Sequence, residues 1–211
     1  MKGLILKDFY LIKKHIVLLL IIVIAFSFSF YESNTIIYQS IFSALITGST
    51  VMTTFAYDEQ RKWTRFAQTM PISRKQYICS KFLFTIIMST MGAAIGVITS
   101  FIASLINSNI SINASSVIFS LIFATLIGVS LNTILIPLLL KFGVEKTRIM
   151  RFFVLGIPMA VIVLITGILK ENFEISQEFI LGLKFIIPIS LIIFIYIIYL
   201  ISVRIFKKKD I

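Results

Sequence analysis

A chain of 211 residues that is 58% hydrophobic and 14% charged, with mean hydropathy +1.03, is too apolar for a soluble globular domain, in which about a quarter of the residues are charged. It reads as a polytopic membrane protein. The formal net charge of +11 would suggest a nucleic-acid partner, but the basic residues sit at the ends of apolar runs rather than over a polar surface, so they report orientation in a bilayer.

Met1 to His15 places Ile5, Phe9 and Ile12 on one helical face, with Lys2, Lys13 and Lys14 largely off it. This predicts an amphipathic interfacial helix leading into the membrane. Lys13-Lys14 followed by Ile16 to Ala25 and Phe26-Ser27-Phe28-Ser29 also fits a secretory signal, a reading set aside because the segments that follow are themselves spans.

Six runs are apolar enough to cross a bilayer core that takes about 20 helical residues. They are 16–30, 36–55, 82–106, 117–140, 152–169 and 185–206, the first and fifth being short. Span two repeats hydroxyls at Ser40, Ser43, Thr47, Thr50 and Thr54 in steps of three and four, a stripe that either lines a polar path or packs closely with its hydroxyls bonded to the helix's own carbonyls.

The polar stretch 57–81, YDEQRKWTRFAQTMPISRKQYICSK, follows and carries the single Trp. Trp63, Phe66, Ala67 and Met70 fall at i, i+3, i+4 and i+7, one apolar stripe opposite a basic face. Pro71 ends that helix, and Ser73 with Gln76 three residues later forms a capping box for the next. Such a helix either docks into a groove on a soluble partner or lies in the headgroup region with Trp63 as anchor. Cys79, the only cysteine, excludes an internal disulfide and any metal site built on cysteine pairs.

Span three carries Gly92, Gly96 and Ser100, and span four Ser116, Ser120, Ala124 and Gly128, both at four-residue steps that let helix backbones approach. Asn132 is the one strongly polar residue deep in span four, an interhelical hydrogen-bond donor or a contact on the path. Pro137, Pro158 and Pro188 mark expected kinks. The fourth loop, Lys141 to Arg151, is a second short basic element, and Lys170 to Lys184, with Phe173, Phe179, Ile180 and Leu183 among acidic residues, suggests a short helix on the outer surface.

Sorting Lys and Arg by segment fixes the orientation. Eighteen of the twenty lie in the N-terminus, the 57–81 loop, the fourth loop and the C-terminus. They share one side only if the span count is even and both termini are cytoplasmic. The fold class is therefore all-α: six transmembrane helices in a single domain, both ends inside, with a cytoplasmic helix between spans two and three.

The acidic pair Asp58-Glu59, then Trp63, Phe66-Ala67, Thr69-Met70-Pro71-Ile72-Ser73-Arg74 and Ser80-Lys81, resembles the cytoplasmic loop of small bacterial permease subunits of type-two ATP-binding-cassette exporters. The opening Met-Lys-Gly-Leu-Ile-Leu-Lys-Asp and the layout of spans extend the resemblance. It implies a coupling helix seated in a cleft of a separate ATPase, with contacts from Glu59, Trp63, Phe66, Ala67, Met70, Pro71, Ser73 and Arg74. It also implies a smaller second contact at Glu145, Lys146 and Arg148, a second permease subunit, and location in the bacterial inner membrane. Cargo in this group includes amphipathic peptides, peptide antibiotics, lipids and drugs.

The absences point the same way. There is no G-x4-G-K-[ST] phosphate loop and no HExxH, so ATP and Mg²⁺ are expected on the partner, this chain is expected to be neither an enzyme nor a cofactor binder, and the only His, His15, lies in the N-terminal segment. No charged residue falls inside a span away from its ends, Arg204 standing at the end of the sixth, whereas ion-coupled carriers usually need one. The rival reading is a non-transporting scaffold or immunity protein whose loop recruits a soluble partner; an ion-coupled carrier ranks below it. Nucleic acid is excluded as a partner, and membrane lipid is expected as one.

Overall fold

The computed structural model describes residues 2–29, 36–69, 73–106, 114–172 and 177–208, and among these every regular element is an α-helix. In lipid each backbone amide must be satisfied within its own segment, and runs this rich in Leu, Ile and Phe meet that demand as helices. The order is α1 (Lys2–Ser29), α2 (Ile36–Gly48), α3 (Thr50–Gln60), α4 (Trp63–Thr69), α5 (Arg74–Ile106), α6 (Ala114–Asn172) and α7 (Gln177–Lys208). Among the described residues, four stretches are long and apolar enough to cross a membrane: Ile36–Gln60, Arg74–Ile102, Ser115–Val154 and Ile186–Lys208. The protein is thus a multi-pass, all-helical membrane protein.

Several boundaries differ from those read in the sequence, each for a physical reason. The N-terminal segment and the first span form one continuous helix, α1. Its Leu4, Asp8 and Ile12 are buried against α3 and α5, so this face packs on protein rather than resting at the lipid interface. The second span continues past Phe55 to Gln60, because Ser49 departs little from helical geometry and its amide still bonds Leu45 O at 3.1 Å. The fourth loop is not a loop. Within α6 the only non-helical residue is Gly143, at φ 78° and ψ 176°, and a second helical segment starts immediately after it. α6 therefore bends at this glycine, whose φ lies in the left-handed region.

α2 is the central helix, packed between α5 and α6. The small-residue steps make this possible. A Cβ at Gly92 would lie 2.6 Å from Ser43 O, one at Gly96 2.6 Å from Ser40 Cα, and one at Gly128 2.8 Å from Ala44 Cβ. The hydroxyl stripe is buried in these contacts and bonds its own helix: Ser40 to Ile36 O, Ser43 to Ser40 O, Thr47 to Ser43 O, Thr50 to Thr47 O and Thr54 to Val51 O. Ser43 also donates across to Gly92 O at 2.7 Å, and Gln39 bridges to Thr99 and Ser100. Asn132 donates to Gly128 O in its own helix and to Leu45 O in α2, the interhelical bond expected of it.

Candidate functional site

The segment 57–81 lies where α3, α4 and α5 meet, and its local structure follows from its sequence. α3 ends when the amides of Arg61 and Lys62 bond back to Tyr57 O and Glu59 O, with Lys62 at φ 50° turning the chain. α4 is a short helix carrying Trp63, Phe66 and Ala67. Met70 and Pro71 lie outside the described residues. α5 then starts on the capping box: Gln76 Oε1 accepts from Ser73 N at 3.0 Å, and Ser73 Oγ accepts from Gln76 N at 3.2 Å.

The apolar stripe of α4 is divided between two directions. Ala67 is buried and Trp63 packs partly against the main core, with Lys7 Nζ 4.6 Å from its ring centroid. Phe66 is 52% exposed, its ring 5.4 Å from that of Trp63. Of the stripe's described residues, Phe66 is therefore the side chain presented outward, and Ser73 is exposed beside the start of α5.

Beneath α4 lies a feature that hydropathy conceals. Asp8, Asp58 and Lys81 are each at most 2% exposed and form an ion-pair network with Lys7. Lys81 Nζ is 2.7 Å from Asp58 Oδ2 and 3.0 Å from Asp8 Oδ1, while Lys7 Nζ contacts Asp58 Oδ1 and lies 3.3 Å from Asp8 Oδ1. Tyr77 Oη donates to Asp58 Oδ2 at 2.9 Å, and Lys81 Nζ donates to Thr54 Oγ1 at 3.1 Å. Two cations and two anions cancel, which is what permits their burial; deleting one member would leave an unpaired buried charge. The ends drawn at Phe55 and Phe82 placed Asp58 and Lys81 in a solvated loop, because a span drawn by hydropathy stops at the first charge.

Two further residues expected to touch a partner are engaged within the chain. Glu59 Oε2 accepts from the backbone amide of Val144 at 3.1 Å, capping the second segment of α6 just past the Gly143 bend. Arg74 donates to Lys207 O at 2.9 Å and Phe206 O at 3.4 Å, and so holds the C-terminal end of α7, where Phe206 stacks on Tyr77. His15 bonds Tyr57 Oη at 2.9 Å. The segment is thus tied to α1 by the ion network, to α6 by Glu59 and to α7 by Arg74. Glu145, Lys146 and Arg148, on the first turns after the bend, are exposed.

No group of three or more His, Cys, Asp or Glu side chains among the described residues is arranged to hold a metal, and Cys79 is free and half-buried.

A family model described as ABC-2 family transporter protein matches residues 3–207, which takes in α2 to α6, all but one residue each of α1 and α7, and the whole of the 57–81 segment. No curated protein and no solved structure matches the chain. A match of that length, on a multi-pass helical chain, places the chain in the ABC-2 transporter family, as a membrane subunit that works with an ATP-binding-cassette ATPase.

Proposed function

We propose that this chain is the permease half of an exporter for amphipathic or hydrophobic cargo, driven by a separate ATPase that grips α4 and pushes on the 57–81 segment. Six spans with both termini cytoplasmic, in a bacterial inner membrane, is the arrangement that puts eighteen of twenty basic residues on one side. The observation that carries the reading is the triple attachment of this segment. A displacement of α4 is handed to α1 through Asp58 and Lys81, to α6 through Glu59 and to α7 through Arg74. Phe66 and Ser73 meet the ATPase directly, together with Met70 and Pro71; Trp63 and Ala67 anchor α4 to the bundle, and Glu59 and Arg74 pass the motion on. Glu145 and Lys146, directly after the residue that Glu59 caps, form the second contact. ATP and Mg²⁺ are bound by the partner, and two permease subunits enclose the cargo path.

The buried hydroxyls of α2 and Asn132 hold the subunit together rather than waiting for cargo, since each bonds a backbone carbonyl. Cargo selection then falls to apolar surface, consistent with amphipathic peptides or lipophilic compounds. Replacing Phe66 with Asp tests the reading. The variant is expected to fold, to lose the co-purifying ATPase and to abolish cargo-stimulated ATP hydrolysis. Retention of both would remove the proposed coupling role.

A further inference from the structure

One cavity on the described surface combines cations with an apolar floor. It lies between α3 and the second segment of α6, has a volume of about 310 Å³, and is lined by Met52, Thr53, Ala56, Phe152 and the two guanidinium-bearing residues Arg148 and Arg151. The arginines are three apart on a helix, hence on one face. Neither takes part in an ion pair among the described residues. The acidic groups on the facing turns do not neutralise them: Asp58 is enclosed in the buried network, Glu59 is held by the Val144 amide, and Glu145 is exposed next to it. Two guanidiniums without an ion-pair partner among the described residues, beside buried Met52 and the exposed ring of Phe152, suit a ligand with an oxyanion at one end and hydrocarbon at the other. Guanidinium binds phosphate bidentately and with directional strength. With the cytoplasmic orientation proposed above, on which this inference rests, the cavity opens at the depth of the inner-leaflet headgroups, and basic pockets between spans on that side suit anionic lipid.

We propose that this cavity binds the phosphate headgroup of an anionic phospholipid of the inner leaflet, Arg148 and Arg151 holding the phosphate while an acyl chain follows Met52 and Phe152 into the bilayer. The wall of the cavity includes Val144, the residue that Glu59 caps, so the bound lipid sits against the joint between α3 and α6. Occupancy steadies that joint.

The test uses the purified chain in mild detergent, without ATPase, titrated with phosphatidylglycerol or phosphatidylcholine and read by native mass spectrometry. Wild type is expected to retain phosphatidylglycerol at least about tenfold better, the effect of one charge-assisted contact. R148Q/R151Q is expected to bring the two lipids to parity, whereas K207Q/K208Q, which removes the same charge from the C-terminal end, keeps the preference. Ala56→Trp fills the cavity while leaving both arginines in the sequence and is expected to lose phosphatidylglycerol as well. Equal retention of the two lipids by wild type, or an R148Q/R151Q or A56W variant that keeps the preference, overturns the proposal. Because no ATPase is present, a failed coupling role for Phe66 leaves this readout unaffected. Vesicle labelling that puts position 66 outside would instead break the orientation on which both depend.

Discussion

The carboxylate of Glu59, at the end of α3, accepts a hydrogen bond from the backbone amide of Val144, 85 residues later in the chain, at 3.1 Å. It meets α6 one residue after Gly143, whose φ of 78° redirects the helix and exposes that amide. A Cβ at Gly143 would also come within 3.3 Å of Glu59 Oε1, so the bend and its cap are mutually fitted.

Glu59→Ala should therefore free the Val144 amide and cost about 1 kcal/mol, the usual worth of a helix cap. Glu59→Gln keeps an acceptor oxygen and should retain most of it. Hydrogen exchange over residues 143–148 reads the difference directly: faster exchange is expected in the Ala variant and near wild-type exchange in the Gln variant. Equal protection in all three would show that the bond carries no weight.

Lys81→Met leaves Asp8 and Asp58 sharing Lys7 alone, and removing one partner of a buried pair is expected to cost about 3–5 kcal/mol. Pairing that change with Asp8→Leu restores neutrality and should recover most of the loss. Thermal unfolding in detergent checks this; a double variant no more stable than Lys81→Met would mean that the charges are not compensating one another.

Gly96→Ala should destabilise by about 1–3 kcal/mol, because its Cβ would meet the Ser40 backbone, which cannot rotate aside. Gly156→Ala meets nothing within 4 Å and should be neutral or mildly stabilising, by up to about 1 kcal/mol. The same unfolding assay separates the two, and a reversal of their order would place the α2–α5 contact elsewhere.

Much of this architecture was legible from residue order. The Ser73–Gln76 capping box, the small-residue steps on α5 and α6 and the interhelical bond of Asn132 all rest on local spacing, which sequence records faithfully. What escaped notice is non-local. Glu59 and Arg74 stand in a polar loop, where a partner contact is the natural reading, and only the fold brings Val144 and Lys207 to them. Lys7, Asp8, Asp58 and Lys81 come from three helices, and their mutual neutralisation cannot be seen one segment at a time. The signal available was an excess: both acids and bases sit within a helical turn or two of apolar runs, where water alone would be a poor neutraliser. Lys141 to Arg151 read as a loop because it is polar and basic, yet a single left-handed glycine suffices to turn the chain.

The most direct measurement of the central claim is labelling at position 66. In a Cys79→Ser background, an F66C chain is reacted with a membrane-impermeant maleimide in inverted and right-side-out vesicles, with and without the ATPase subunit. Reaction from the cytoplasmic side alone, suppressed when the ATPase is bound, is the predicted result. Reaction from the outer side, or a rate indifferent to the ATPase, would contradict it.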